Sequence, residues 1–390
     1  MQSASASVRG LRIGAIDALR GLVMVVMALD HARDFLHLGS HGIDPTDAAA
    51  SNPALFATRW VTHFCAPTFV LLSGVSAWLQ RASGKSRSEL ALFLLTRGLW
   101  LVLLDATVVS FALNFNFDLI VLTVIAAIGA SMILLAGLIW LPAPAVALVG
   151  LALIAGHNLF DGLDPKTLGP WALPFQVLFG PVALASAGPV KLLVAYAVLP
   201  WTGVMALGYG LGPPFNQAPG KRARTLVLAG LTCVVGFLIL RSLNHYGDPR
   251  PWSLQSDPAR TAMSFLAVTK YPPSLDFVLA TLGPVLMLLP LLEKLGGRLT
   301  AALQTYGRVP LFYYVGHLYA LHLIALGLGV ALQGKPASAF LVNPGQIAGF
   351  GFGLPAVYAI WAAVVVGFYP LCAWWGRIKR TRRDWWLSYL

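Results

Sequence analysis

Between Asp17 and Asp34 the chain reads DALRGLVMVVMALDHARD, an apolar run with ionisable groups at both ends. Arg20 and His31 lie eleven residues apart. In an α-helix, eleven steps of about 100° return to within about 20° of the start, about 16 Å further on. Asp17 precedes Arg20 by three residues and Asp34 follows His31 by three, so Asp17, Arg20, Met24, Met27, His31 and Asp34 form one stripe. A guanidinium suits phosphates. An imidazole exchanges protons near neutral pH without help, and can act as general base or as nucleophile. Asp17, Asp30 or Asp34 could orient an imidazole or balance Arg20. The structural alternative is an Asp17–Arg20 ion pair snorkelling to one interface, with His31 and Asp34 near the other, where polar groups cost little.

A second stretch, RWVTHFCAPTFVLLSGVSAWL, repeats the theme. His63 falls one turn past Arg59, in a helix opened by Pro67, at a depth similar to His31 if the chain has turned back. Two histidines at one level suit catalysis or proton handling, or form a buried hydrogen-bonded pair. Arg97 and Asp105 are eight residues apart, too far to pair, so each is expected to meet another helix. In GRVPLFYYVGHLYALHLIAL, His317 and His322 point to different faces, which argues against a two-histidine metal clamp. Cys65, Cys233 and Cys372 show neither metal-ligand nor disulfide spacing. No metal is expected, no Gly-x-Ser-x-Gly elbow occurs, and no strand is expected to carry a phosphate loop.

The elements that must hold these groups are membrane helices. Of the 390 residues, 57% are hydrophobic and only 11% charged, far below the roughly one-quarter charge of soluble domains. The apolar residues come in blocks without the alternation of barrel strands. We expect an all-α, polytopic transmembrane bundle in a single domain, 1–390. About ten spans are expected, near 17–37, 59–80, 91–113, 118–141, 143–160, 190–212, 224–243, 274–293, 309–332 and 349–375. The stretch 172–186, interrupted by Pro181, is left open as a re-entrant or interfacial piece or an eleventh span. The net charge of +12 is read as topology, with no nucleic acid as partner. Arg81, Lys85 and Arg87, then Lys221, Arg222 and Arg224, then Lys294, Arg298 and Arg308 fall on one side with Arg9, Arg12 and the tail. Loop 38–58 has no Lys or Arg. Both termini are therefore expected to be cytoplasmic. The tail 376–390 pairs a basic cluster with Trp385, Trp386 and Tyr389, as an anchor on an anionic leaflet would.

Several segments carry a family likeness. AIDALRGLVMVVMALDHARDF, RWVTHFCAPTFVLLSG, LTRGLWLVLLDATVV, FLAVTKYPPSLDFVLATLGP, GRVPLFYYVGHLYALH and RRDWWLSYL resemble bacterial membrane proteins of the heparan-alpha-glucosaminide N-acetyltransferase family, across nearly the whole chain. The resemblance implies a bacterial cytoplasmic-membrane protein that passes an acyl group from cytoplasmic acyl-CoA to an outer acceptor, usually a sugar. One branch of the wider superfamily places an Arg at the inner start of the first span and an essential His at its outer end, the spacing of Arg20 and His31. The lysosomal enzyme has Asn where this chain has His31, and its acyl-accepting His follows in the next loop, near His41. The catalytic histidine is thus open between His31, His41 and His63.

Two readings follow. In an acyltransferase, Arg20 and Arg97, with Asp17, serve the acyl-CoA (acetyl-CoA or another). His31 or His63, with Asp30 or Asp34, serves the transfer, and outer loops 38–58 and 244–273 receive a sugar on Trp252 or Tyr271. In a proton-coupled transporter or flippase of an anionic or glycosylated solute, the same buried groups move protons. Membrane lipids are partners in either case, and a homodimer is allowed.

Overall fold

The computed structural model describes residues 13–38, 42, 44–185, 190–382 and 384–389. His41, Arg9 and Arg12 lie outside them. In chain order the helices and strands are α1 (Gly14–Leu36), α2 (Pro53–Thr62), α3 (Cys65–Ala82), α4 (Arg87–Leu104), α5 (Ser110–Asn114), β1 (Leu119–Leu122), α6 (Val124–Leu138), α7 (Ala143–His157) and α8 (Ala172–Phe179). They continue with β2 (Val182–Ala185), β3 (Lys191–Val194), α9 (Val198–Gly210), α10 (Pro219–Leu243), α11 (Pro258–Leu266), α12 (Leu275–Lys294), α13 (Arg298–Gly307), α14 (Pro310–Gln333) and α15 (Leu354–Thr381). Among the described residues, seven helical stretches are long and apolar enough to cross a membrane: 53–82, 87–114, 143–160, and α10, α12, α14 and α15. Their outward faces carry exposed leucines such as Leu99, Leu148, Leu238 and Leu332, which water would not tolerate in such number.

The all-helical expectation needs a correction. The stretches 118–141, 172–186 and 190–212 each contain a strand, and the strands join in one sheet. Strand β1 pairs parallel with β3, with Leu119 opposite Lys191, and β2 pairs antiparallel with β3. Four-residue runs such as LIVL look alike in a strand and in a buried helix, so periodicity cannot separate them. Of the stretch 172–186, the described residues 172–185 hold the short helix α8 and strand β2. Helix α13 was also missed, because it is short and lies in what reads as a basic loop.

Local chemistry explains the other boundaries. Pro67 has no N–H to give the carbonyl of His63 and crowds it, and the helix breaks between Thr62 and Cys65. Ser86 and Glu89 cap α4 reciprocally. Helix α4 passes through a π-helical turn at Asp105–Val109. There the Asp105 carboxylate accepts from the Thr123 hydroxyl at 2.7 Å and from the backbone N–H groups of Thr123 and Ala126, seating the start of α6. So Asp105 does meet another helix.

Helix α1 packs against α2, α3, α12, α13, α14 and α15 and sits at the centre of the core. Close crossings run through glycine: a Cβ on Gly98 or Gly129 would strike the other's carbonyl, and the same holds for Gly150 with Gly203 and Gly230 with Gly283. Small residues at crossings are how membrane helices gain dispersion contacts where lipid offers no hydrophobic drive.

Candidate active site

The stripe on α1 faces inward. At its lower end Arg20 donates to Asp17 Oδ1, the carbonyl of Gly307 and Ser76 Oγ, each at 3.3 Å. Arg308 Nε stands 3.8 Å from the other Asp17 oxygen. Helix α13 comes this near because Gly21 and Gly307 offer no Cβ: one would run into the Leu303 carbonyl, the other into that of Asp17. Asp17 is buried and acts on Arg20.

Arg20, Met24 and Met27 line a cavity of about 280 Å³. Across it stands Arg97, and Lys379 of α15 joins them. The walls are apolar, from Phe69, Leu101, Ile128 and Met132, and Tyr314 of α14 also lines the cavity. Cations beside an apolar passage suit a ligand with a phosphorylated end and an uncharged arm. Lys379 was read only as part of a lipid anchor. Helix α15 continues through it, and Tyr389 returns to place its hydroxyl 3.0 Å from Thr96 Oγ1, next to Arg97.

One turn above Met27, His31 meets His317, with Nδ1 of His31 2.7 Å from Nε2 of His317. The other nitrogen of His317, Nδ1, lies 2.7 Å from the carbonyl of Tyr313. A carbonyl only accepts, so Nδ1 of His317 carries the proton, and its Nε2 in the neutral ring offers a lone pair. His31 therefore donates from Nδ1 and keeps a lone pair on Nε2. His317 is fully buried, whereas His31 retains exposure. Tyr314 packs edge-on against both rings, at 6.0 and 5.9 Å between centroids. The sequence showed His317 one turn after Tyr313 but held no sign that it meets His31.

The acidic neighbours have other partners. Asp30 takes Arg33 at 3.0 Å and Arg59 at 2.5 Å, and Asp34 takes Arg33 at 2.6 Å. Asp34, Arg59 and His63 line a second cavity of about 680 Å³, together with Arg250, Lys270 and Tyr271. His63 is buried against Phe277, 5.3 Å between centroids, and its Nδ1 has no hydrogen-bond partner among the described residues. It is not brought onto His31: among the described residues His31 takes His317 instead. Arg59, Lys270 and Arg250 come from different segments, and only Arg59 was singled out by sequence. Trp252 does not face this cavity; its indole N–H is given to the Arg241 carbonyl at 2.8 Å.

Helix α1 thus puts Met27 on the lower cavity and Asp34 on the upper one, seven residues or about 10 Å apart along its axis, and His31 falls between them on the helix while lining neither cavity itself. Among the described residues no three of His, Cys, Asp and Glu gather as a metal-holding group. A family profile described as heparan-alpha-glucosaminide N-acetyltransferase, catalytic, matches residues 12–244. A search of curated proteins finds no match to the chain.

Proposed function

The chain belongs to the heparan-alpha-glucosaminide N-acetyltransferase catalytic family, and from that membership we propose that it is a membrane-embedded acyltransferase using acyl-CoA as donor and a sugar as acceptor. The observation that carries this reading is that helix α1 lines both cavities, with Met27 on one and Asp34 on the other, and bears His31 between them. The lower cavity receives the donor, its phosphates against Arg20, Arg97 and Lys379 and its thioester arm along Met24 and Met27. The upper cavity receives the acceptor.

In this reading His31 is the general base. Its Nε2 takes the proton from the acceptor amine or hydroxyl as that atom bonds to the acyl carbon. The carbon–sulfur bond breaks, and the departing CoA thiolate takes the proton back from the imidazolium. His317 holds the ring in the tautomer that leaves Nε2 basic, and gains a stronger hydrogen bond when His31 becomes charged. Two cavities that can be filled together favour direct transfer over a covalent acyl-histidine. Asp30, Asp34 and His63 belong, on this view, to the acceptor side.

Helices α1, α6 and α9, added to the seven long apolar stretches, make ten crossings in the bacterial cytoplasmic membrane, with the lower cavity and both termini on the cytoplasmic side. Ionised groups mid-membrane cost roughly 2.5–3.5 kcal/mol each. Those of α1 lie toward its ends and face partners or cavities.

The test is release of CoA thiol from acetyl-CoA by purified protein with glucosamine-type acceptors. Acceptor-dependent release that His31→Ala abolishes is expected, with both substrates bound before either product leaves. Turnover unaltered by His31→Ala, or solute uptake into vesicles without CoA consumption, would sink the reading.

A further inference from the structure

Among the described residues, one cation of the upper cavity, Lys270, makes no ion pair. Arg33 is held by Asp30 and Asp34, Arg59 by Asp30, and Arg250 by Asp44 at 3.4 Å and the Thr269 hydroxyl at 3.0 Å. Lys270 is 7% exposed, and its side chain has neither a hydrogen bond nor an ion pair among the described residues. Its ammonium sits over the rings of Tyr271 and Tyr196, 5.1 and 5.9 Å from their centroids. The two phenols touch at 3.2 Å, so the rings form a fixed corner around it.

A buried ammonium is costly unless paired, and aromatic faces offset only part of that cost. Arginine and carboxylate neighbours here are arranged in pairs, whereas among the described residues no carboxylate makes an ion pair with Lys270 and Asp30 acts on it only at longer range. The segment that carries it is firmly built: Asp248 accepts from Thr269 N–H at 2.6 Å, from its hydroxyl at 2.9 Å and from Ser274 at 2.6 Å. The ammonium is therefore held at the wall of the cavity rather than free to reach water.

We propose that the upper cavity is an oxyanion-binding subsite, in which Lys270 pairs with a carboxylate or phosphate carried by the acceptor while Tyr271 offers a ring face to its carbon skeleton. The acceptor class is then an acidic sugar or a phosphorylated headgroup, not a neutral sugar. This rests on the acyltransferase reading for calling the ligand an acceptor; anion capture itself does not.

The full chain, in phosphatidylcholine nanodiscs, is titrated with glucose, glucuronate and glucose 6-phosphate. Reductive methylation of Lys270, read by peptide mass spectrometry, reports occupancy in the wild type, so no variant has to fold. Protection by the two anions but not by glucose is expected. Lys270→Met should lose affinity for the anions by ~30-fold or more, and Lys270→Arg should keep most of it. Suppression of glucose 6-phosphate binding by phosphatidate in the nanodisc assigns the anion to a lipid headgroup; its absence assigns it to a soluble sugar. Equal protection by glucose and the anions, no protection by either anion, or unchanged affinity in Lys270→Met overturns the proposal. Acetyl transfer is followed in the same samples. Anion binding without transfer removes the enzyme reading and leaves the subsite; transfer without anion preference does the reverse.

Discussion

His31 donates from Nδ1 to Nε2 of His317, which is itself anchored by donating from Nδ1 to the Tyr313 carbonyl. A ring held this way has one basic nitrogen and one orientation. We predict that His31→Ala lowers kcat by about 10²–10⁴-fold. His317→Ala should cost on the order of 10²-fold through misplacement of the His31 ring. His317→Gln, which keeps an acceptor near His31 Nδ1, should recover part of the loss. The pH profile of kcat separates positioning from packing: removing His317 should move its acidic limb, and a merely structural residue would leave that limb where it was.

Arg20 and Arg97 face one cavity. If they hold the phosphates of the donor, Arg20→Gln and Arg97→Gln should raise KM for acyl-CoA with little change in kcat, by about ten-fold or more each for a lost charged hydrogen bond. S-acetyl-pantetheine, which lacks the nucleotide phosphates, should be used equally by wild type and variants. A matching loss with the truncated donor would mean that the arginines only hold the helices.

The contact of α1 with α13 is set by Gly21 and Gly307. Gly21→Ala forces a methyl into the Leu303 backbone, which no side chain can yield to. Overpacking of this kind costs about 1–3 kcal/mol. A lower melting temperature is expected, together with a raised KM for acyl-CoA, because Arg20 hangs on the Gly307 carbonyl.

Arg241 is the post on which loop 244–273 is strung. It donates to the carbonyls of Phe265, Arg250, Ser264 and Ala267, and stands 4.0 and 3.9 Å from Asp248 and Asp276. All three side chains are at most 2% exposed. Arg241→Met takes the nearby cation from two buried carboxylates, of which Asp248 keeps its hydrogen bonds, and a donor from four carbonyls. We expect a loss of about 3–5 kcal/mol, read as a drop in thermal stability, with faster proteolysis of 244–273.

Asp44 joins loops 38–58 and 244–273 through Arg250. Burial pushes its carboxyl up, but the Thr46 N–H and hydroxyl, and Arg250, outweigh this and hold it below the usual carboxylate value. A lowered folded-state value means a stabilisation that is fully present above the unfolded value and disappears as pH falls through the folded one. Both side chains are half-exposed, so the effect is small. Melting of wild type and Asp44→Asn should differ at neutral pH and converge in acid; a gap that persisted in acid would mean that the charge is not its source.

Much of the site on α1 was legible because it is local. Eleven residues at 3.6 per turn put Arg20 under His31 whatever surrounds them, and Met24 and Met27 do face the cavity between. The break at His63 was legible from Pro67, since a missing N–H acts four residues back. The strands were not, because a four-residue apolar run has no period to read. Nor was α13, whose ten residues fall in a basic connection between two long apolar helices.

Hydropathy and helical periodicity act within a few turns of chain, so the sequence alone determined a helical membrane protein and the stripe on its first helix. Only the packing decided that His31 pairs with His317, 286 residues away, that Asp30 and Asp34 form ion pairs with arginines, and that among the described residues Lys270 faces a cavity without an ion pair. Hydrogen bonds of this kind depend on which helices end up side by side. That is settled by glycine crossings and loop anchors spread along the whole chain, and no local pattern records it.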